Sequence, residues 1–160
     1  MKPWVKDLIS YVIIFLAVVI IRTFVATPVR VTGVSMYPTL SGTEIMILNK
    51  LGKIERMKVV VIDRGSDDKI IKRVIGLPNE EVAIINNIIY INDKPLTDKY
   101  GQGDMEDMQK IKLAYDEYFV LGDNRDESLD SRIIGPIKVG KIMGTTKLVI
   151  YPARKIGNIK

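Results

Sequence analysis

The sequence contains no cysteine and no histidine. Without cysteine there can be no disulfide, no thiol nucleophile and no Cys-ligated zinc or iron–sulfur site. Without histidine there is no Ser-His-Asp triad, no imidazole acid or base and no His-built metal centre. A hydrolase made from these 160 residues must find its base elsewhere. Aromatic residues are few, at 7%, and the basic excess is small, 24 Lys and Arg against 19 Asp and Glu. The charges are mixed along the chain, with a loose basic run (Lys50, Lys53, Arg56, Lys58) and a short acidic one (Asp104, Glu106, Asp107). A nucleic-acid binder calls for a concentrated basic stripe and stacking aromatics. The strands of the body offer Tyr90, Tyr118 and Phe119 for stacking, so nucleic acid is not an expected partner. A mild basic excess suits the anionic surface of a bilayer.

Hydrophobicity is concentrated at the N-terminus. Leu8–Ile21 reads LISYVIIFLAVVII, interrupted only by Ser10. Continued through Ala26 as a helix it spans roughly 28 Å, close to the thickness of a hydrocarbon core. Arg22 can snorkel at one end, and Trp4 takes the place of an interfacial aromatic at the other. A segment apolar on every side is unsuited to an ordinary core helix. Lys2 and Lys6 before it also fit a cleaved signal peptide, but the following TFVATPVRV contains no clean small-x-small site. The reading is therefore an uncleaved single-pass anchor over residues 1–27, stopped at Pro28, with a body over 28–160. The charges on its two flanks are nearly balanced and favour a cytoplasmic N-terminus only slightly.

The texture after Pro28 is that of strands. Val29–Thr32, Glu44–Leu48, Val59–Asp63, Ile70–Ile75, Val82–Ile85, Ile88–Ile91, Tyr118–Leu121 and Ile142–Ile150 are short, rich in Val and Ile, and separated by Gly, Pro, Asn and Asp. Asn86-Asn87 predicts a two-residue hairpin turn. A helical turn or two is expected around Met105–Lys112. The fold class expected is mainly β: an irregular, partly closed antiparallel body carrying one N-terminal transmembrane helix.

Three clusters break the strand texture. In Gly33-Val34-Ser35-Met36-Tyr37-Pro38-Thr39-Leu40 a serine sits on a bend stiffened by Pro38 and relieved by Gly33, the preorganisation that a nucleophile needs. In Ile70-Ile71-Lys72-Arg73-Val74-Ile75-Gly76 the two cations point to opposite faces of a strand, and periodicity does not say which points inward. Chemistry favours Lys72 as a base, because burial can strip a proton from lysine but not from arginine. The third cluster, Leu121–Arg132 (LGDNRDESLDSR), lacks the calcium-loop pattern of a glycine at the sixth position and a glutamate at the twelfth. It reads better as Asp–Arg pairs pinning a loop beside a site. Neither a metal nor a cofactor is called for.

Together these clusters resemble the bacterial type I signal peptidases, membrane-bound serine proteases with a Ser-Lys dyad. GVSMYPTL matches the family's Gly-x-Ser-Met-x-Pro-Thr-Leu, which puts Ser35 on the nucleophile. IIKRVIGLP puts Lys72 on the general base. GDNRDESLDSR puts Ser128 on the serine that hydrogen-bonds the lysine amine, and Asp130 and Arg132 on the supporting pair. The resemblance implies removal of signal peptides from secretory preproteins with small residues at positions −1 and −3, and a bilayer-bound, monomeric enzyme. It also implies a cytoplasmic N-terminus and a catalytic domain on the outer face. Gly33 stands where Gram-negative members often carry an oxyanion-hole serine, as in the Gram-positive branch. Met57-Lys58 and Asn79-Glu80 replace two usual Gly-Asp pairs, and Glu127 replaces a common Asn. Three rivals have less support. An inactive preprotein-binding homologue would not need both Ser35 and Lys72; a self-cleaving repressor-type Ser-Lys protease carries a DNA-binding part where this chain has its anchor; and a nucleic-acid-binding β domain is disfavoured as above.

Overall fold

The computed structural model describes residues 3–65 and 68–159. Helix α1 (Pro3–Ile20) continues as a π-helical turn over Ile21–Val25. The span Trp4–Val25 is apolar enough to cross a membrane and is wholly unburied by the rest of the chain. Such an all-round apolar helix is stable only where lipid replaces water around it. It does not reach Pro28: the π turn closes at Val25, and Pro28 lies within strand β1 (Ala26–Arg30). Proline is tolerated there because β1 is an edge strand. The helix's last carbonyls are satisfied from the body, where the Lys50 ammonium donates to Thr23 O at 2.7 Å and the Thr27 hydroxyl to Arg22 O at 2.7 Å. A cation at a helix C-terminus also suits the helix dipole.

The remaining strands are β2 (Ile45–Asn49), β3 (Val59–Asp63), β4 (Lys69–Gly76), β5 (Glu81–Ile85), β6 (Ile88–Ile91), β7 (Lys94–Pro95), β8 (Met108–Lys112), β9 (Glu117–Leu121), β10 (Ile137–Lys138), β11 (Ile142–Tyr151) and β12 (Gly157–Asn158), with a short helix α2 (Ser131–Ile134) between β9 and β10. One sheet runs β1-β2-β11-β3-β4-β9-β10 with β12 on β11, and a second runs β7-β6-β5-β8. The partly closed body expected from the sequence is not formed, because both sheets are open. The edges explain why: β1 contains Pro28, which lacks an N–H for a further neighbour, and β10 has only two residues to offer. Asn86 and Asn87 form the expected hairpin, with φ of 51° and 65°. The helical turn expected near Met105–Lys112 is instead β8, where pairing with the free edge of β5 supplies the backbone partners that a lone polar turn would lack.

β3 and β4 are buried on both faces, which is why they read as unbroken apolar runs. Val60, Ile62 and Val74 pack with Val120 and Ile137 on one side, while Val59, Val61 and Ile71 pack with Met36, Leu40, Met46 and Leu48 on the other. The second sheet docks through Ile75, Val82, Ile84, Phe119 and Leu121.

Glu44, fully buried ahead of β2, closes the loop between β1 and β2. Its carboxylate accepts from the Ser41 and Thr43 amides at 3.0 Å, from the Ser41 hydroxyl at 2.9 Å and from the Lys155 ammonium. Burial alone would raise its pKa, but Lys155 and the Ser41 donors outweigh that and hold it at about 2. A depressed carboxylate pKa adds stability that is complete above the unfolded value of 4.5 and is lost as pH falls towards 2. Acid unfolding of the full chain in neutral detergent should therefore show a loss across this window that Glu44→Gln removes. An unchanged pH slope in Glu44→Gln would contradict this role.

Candidate active site

The segment after β1 turns sharply at Gly33, whose φ of +82° lies in the region favouring glycine. The turn is closed by Tyr37 N–H donating to Val34 O at 2.9 Å and Leu40 N–H to Met36 O at 2.8 Å. Met36 and Leu40 anchor in the core, leaving Ser35 half-buried between two fixed apolar points. From the loop after β9, Asn124 donates its backbone N–H to Ser35 O at 3.1 Å and its side-chain amide to Val34 O at 3.3 Å. The serine is thus held from both sides.

The sequence left open which cation of β4 points inward. Both do, because β4 is central and covered on each face: Lys72 is 2% exposed and Arg73 3%. Lys72 lies opposite Val60 in the register, on the face of Ile70 and Val74, and its Nζ is 2.6 Å from Ser35 Oγ. Burial lowers its pKa to about 8; the Asp130 carboxylate opposes the shift, while Arg132 and Arg64 reinforce it. Roughly a tenth of such amines are neutral at pH 7, against well under a thousandth for a free lysine. A neutral amine at this distance can take the proton of the hydroxyl.

Arg73 makes the other half of the arrangement. It holds Asp123 through Nε–Oδ1 at 2.8 Å and Nη2–Oδ2 at 2.6 Å, donates to Met57 O at 2.7 Å, and lies 3.5 Å over the Tyr100 ring. Asp123 also accepts from the Thr39 hydroxyl at 2.5 Å, so one carboxylate joins β4, the loop after β9 and the serine-bearing turn. Asp130 is fully buried and forms the cap of α2. It accepts from Gly122 N–H at 2.9 Å and from Arg132 Nε and Nη2, both at 2.9 Å. The expected Asp–Arg network is present, extended by Arg125 on Asp98. Ser128 stands in the same loop; its buried hydroxyl acts on the Asp130 carboxylate, helping to lower its pKa, and the bond to Lys72 implied by the resemblance is not formed here. Glycine is required at 122, where a Cβ would come 2.1 Å from Ser128 Oγ and 2.5 Å from Ser35 O.

Two of the noted departures are structurally accommodated. Met57 and Asn79 take the left-handed conformations, with φ of 68° and 66°, that the replaced glycines would adopt easily. Met57 is fixed by its N–H to Val74 O at 2.8 Å and by Arg73, while Glu80 forms a two-point ion pair with Arg56. Sequence reasoning missed Thr39, Asp123, Tyr100 and Glu44; the acidic residue next to Gly122 was the one available signal. Among the described residues no three Asp or Glu side chains gather as metal ligands.

Residues 2–151 match the family model described as "Signal peptidase, peptidase S26". Among curated proteins the chain is 37% identical to a signal peptidase I from Bacillus amyloliquefaciens, over 93% of this chain and 84% of that one. It is 35% identical to signal peptidase I S of Bacillus subtilis strain 168, over 93% and 88% respectively. A solved signal peptidase I from Enterococcus faecalis V583 aligns with 58% of this chain and 96% of its own, at 28% identity and a TM-score of 0.49.

Substitution of the neighbouring arginine tests the network. Arg73→Lys keeps the charge but loses the two-point contact with Asp123 and the stacking on Tyr100, so we expect a loss of about 2 kcal/mol or more in urea unfolding of the full chain in neutral detergent. A loss below about 0.5 kcal/mol, the size of an ordinary surface change, would contradict the network's structural role.

Proposed function

The chain belongs to the signal peptidase family, peptidase S26, and is a serine endopeptidase that cleaves signal peptides; we propose that Ser35 is its nucleophile and Lys72 its general base. The observation that carries this is the 2.6 Å contact between a buried amine and a half-buried hydroxyl. Neutral Lys72 Nζ takes the Ser35 proton as Oγ attacks the scissile carbonyl carbon, forming the tetrahedral intermediate. The resulting ammonium gives that proton to the departing amine, the C–N bond breaks, and an acyl-enzyme remains. Lys72, neutral again, removes a proton from water, which attacks the ester and frees Ser35. The Ser35 amide, which donates to no described residue, is the available oxyanion donor. Asp130 and Arg132 act as supporting residues that fix the loop behind the amine. Ser128, buried in the same loop, has the role the resemblance gives it, an acceptor for the ammonium.

The enzyme is membrane-bound and acts on preproteins. In our reading residues 1–27 are tail and anchor, with the N-terminus cytoplasmic, and residues 28–160 form a monomeric peptidase domain outside. The preprotein lies extended along β4, since β9 pairs only the half of β4 from Arg73 onward and leaves the edge at Ile70–Lys72 for a further strand. Small residues at −1 and −3 would then face the body. The inactive-homologue reading has no observation in its favour, because a non-catalytic protein has no need of an amine with a depressed pKa.

Ser35→Ala, Lys72→Ala and Lys72→Arg should each reduce cleavage of a preprotein in detergent at least about a thousandfold. Arginine cannot give up its proton, so Lys72→Arg should be no better than Lys72→Ala. Stability should move the other way. A folded lysine pKa near 8 against an unfolded value near 10.4 costs stability below pH 8, and the cost fades as pH rises between the two. Lys72→Met should therefore unfold at higher denaturant than wild type at pH 7. Near-normal turnover in Lys72→Arg would sink the assignment.

A further inference from the structure

The basic run Lys50, Lys53, Arg56, Lys58 is not explained by catalysis. Three of its members have partners in the fold: Lys50 caps the end of the membrane helix, Arg56 holds Glu80, and Lys58 pairs with Glu55 at 2.8 Å. Lys53 is in no salt bridge among the described residues, and neither is Lys147 on β11. Both line a cavity of about 570 Å³ whose walls come from β2, β11 and the connection between β2 and β3. Arg73 also lines it, already paired with Asp123. Thr146, 4% exposed, also lines this cavity, and its hydroxyl is buried with no hydrogen-bond partner. Glu55, paired with Lys58, lines the cavity too and feels the charge of Lys53, so the lining carries Lys53, Lys58 and Lys147 against one carboxylate. A buried hydroxyl without a partner is costly, and in a cavity with that cationic excess it can meet an anion.

The cavity's position identifies the anion. Its wall includes Asn49 and Gly52, while Asn49 pairs with Ala26 and the Lys50 N–H donates to Val25 O at 2.9 Å. It therefore begins within one turn of the point where the membrane span ends. Leu51, in the same turn, is 71% exposed and suits an acyl chain. We propose that Lys53, Lys147 and Thr146 form a binding site for the phosphodiester of an anionic phospholipid headgroup, seating the body against the bilayer in a fixed orientation. This rests on α1 being the membrane anchor and is independent of the Ser35–Lys72 assignment.

The test is titration of the full chain in neutral detergent micelles with short-chain phosphatidylglycerol, followed by the amide resonances of Thr146 and Lys147. Saturable binding is expected. Lys53→Gln/Lys147→Gln should weaken it roughly 30-fold, from two charges at the usual strength of a lysine near an anionic surface. Thr146→Val should weaken it about tenfold while raising the thermal midpoint of the free protein, because it removes an unpaired hydroxyl. Lys94→Gln/Lys138→Gln, which removes two exposed charges elsewhere, should leave binding unchanged. An equal loss in that control, or binding without saturation, would reduce the effect to general attraction and overturn the site. Equal affinity for glycerol 3-phosphate would assign the cavity to a soluble phosphate rather than a lipid, and displacement by a preprotein-derived peptide would assign it to the substrate cleft. Flotation with neutral vesicles tests the anchor separately: a chain that floats yet binds no phosphatidylglycerol defeats this proposal alone.

Discussion

A lysine amine kept out of water beside a serine hydroxyl is the constraint on which the rest of the structure depends. Burial lowers the Lys72 pKa only while no carboxylate restores it, and two fully buried carboxylates, Asp123 and Asp130, lie close enough to do so. Each is taken by an arginine: Asp123 by Arg73 and Asp130 by Arg132. The paired arrangement keeps the loop after β9 close, and the Arg132 charge opposes the Asp130 field that would make Lys72 basic again.

The same carboxylates connect the site to the sheet. Asp123 joins Thr39 of the serine-bearing turn to Arg73 of β4, and Glu44 closes the far end of that loop onto the C-terminal turn at Lys155. The position of Ser35 is therefore set by core packing at Met36 and Leu40 and by two buried anions. The membrane helix is joined to this frame through Lys50, whose backbone and ammonium both bond the helix's last turn. A phospholipid phosphate bound beside that joint would hold the catalytic face at a constant height above the bilayer.

The motifs around Ser35, Lys72 and Asp130 were legible in the sequence because each carries chemistry at short range. Long apolar runs such as Val59–Ile62 were legible because strands buried on both faces need no polar alternation. What was not legible depends on residues distant in the chain. Nothing local to β4 announces that Arg73 is held by Asp123, fifty residues on. Glu44 gave no signal because its partner Lys155 lies at the opposite end of the body. Strand β8 is locally polar and forms only because β5 offers an edge. Sheet closure could not be judged either, since it turns on which strands become edges.

The central claim is that Lys72 is a base because it is buried beside Ser35. It is tested most directly by the titration of its side chain in the full chain, using ε-13C-lysine NMR in neutral micelles, with the resonance assigned by its absence in Lys72→Met. The account requires a midpoint near 8, and a rate of preprotein cleavage that rises through the same pH. A Lys72 midpoint near the ~10.4 of a free lysine, with cleavage already maximal at neutral pH, would contradict it.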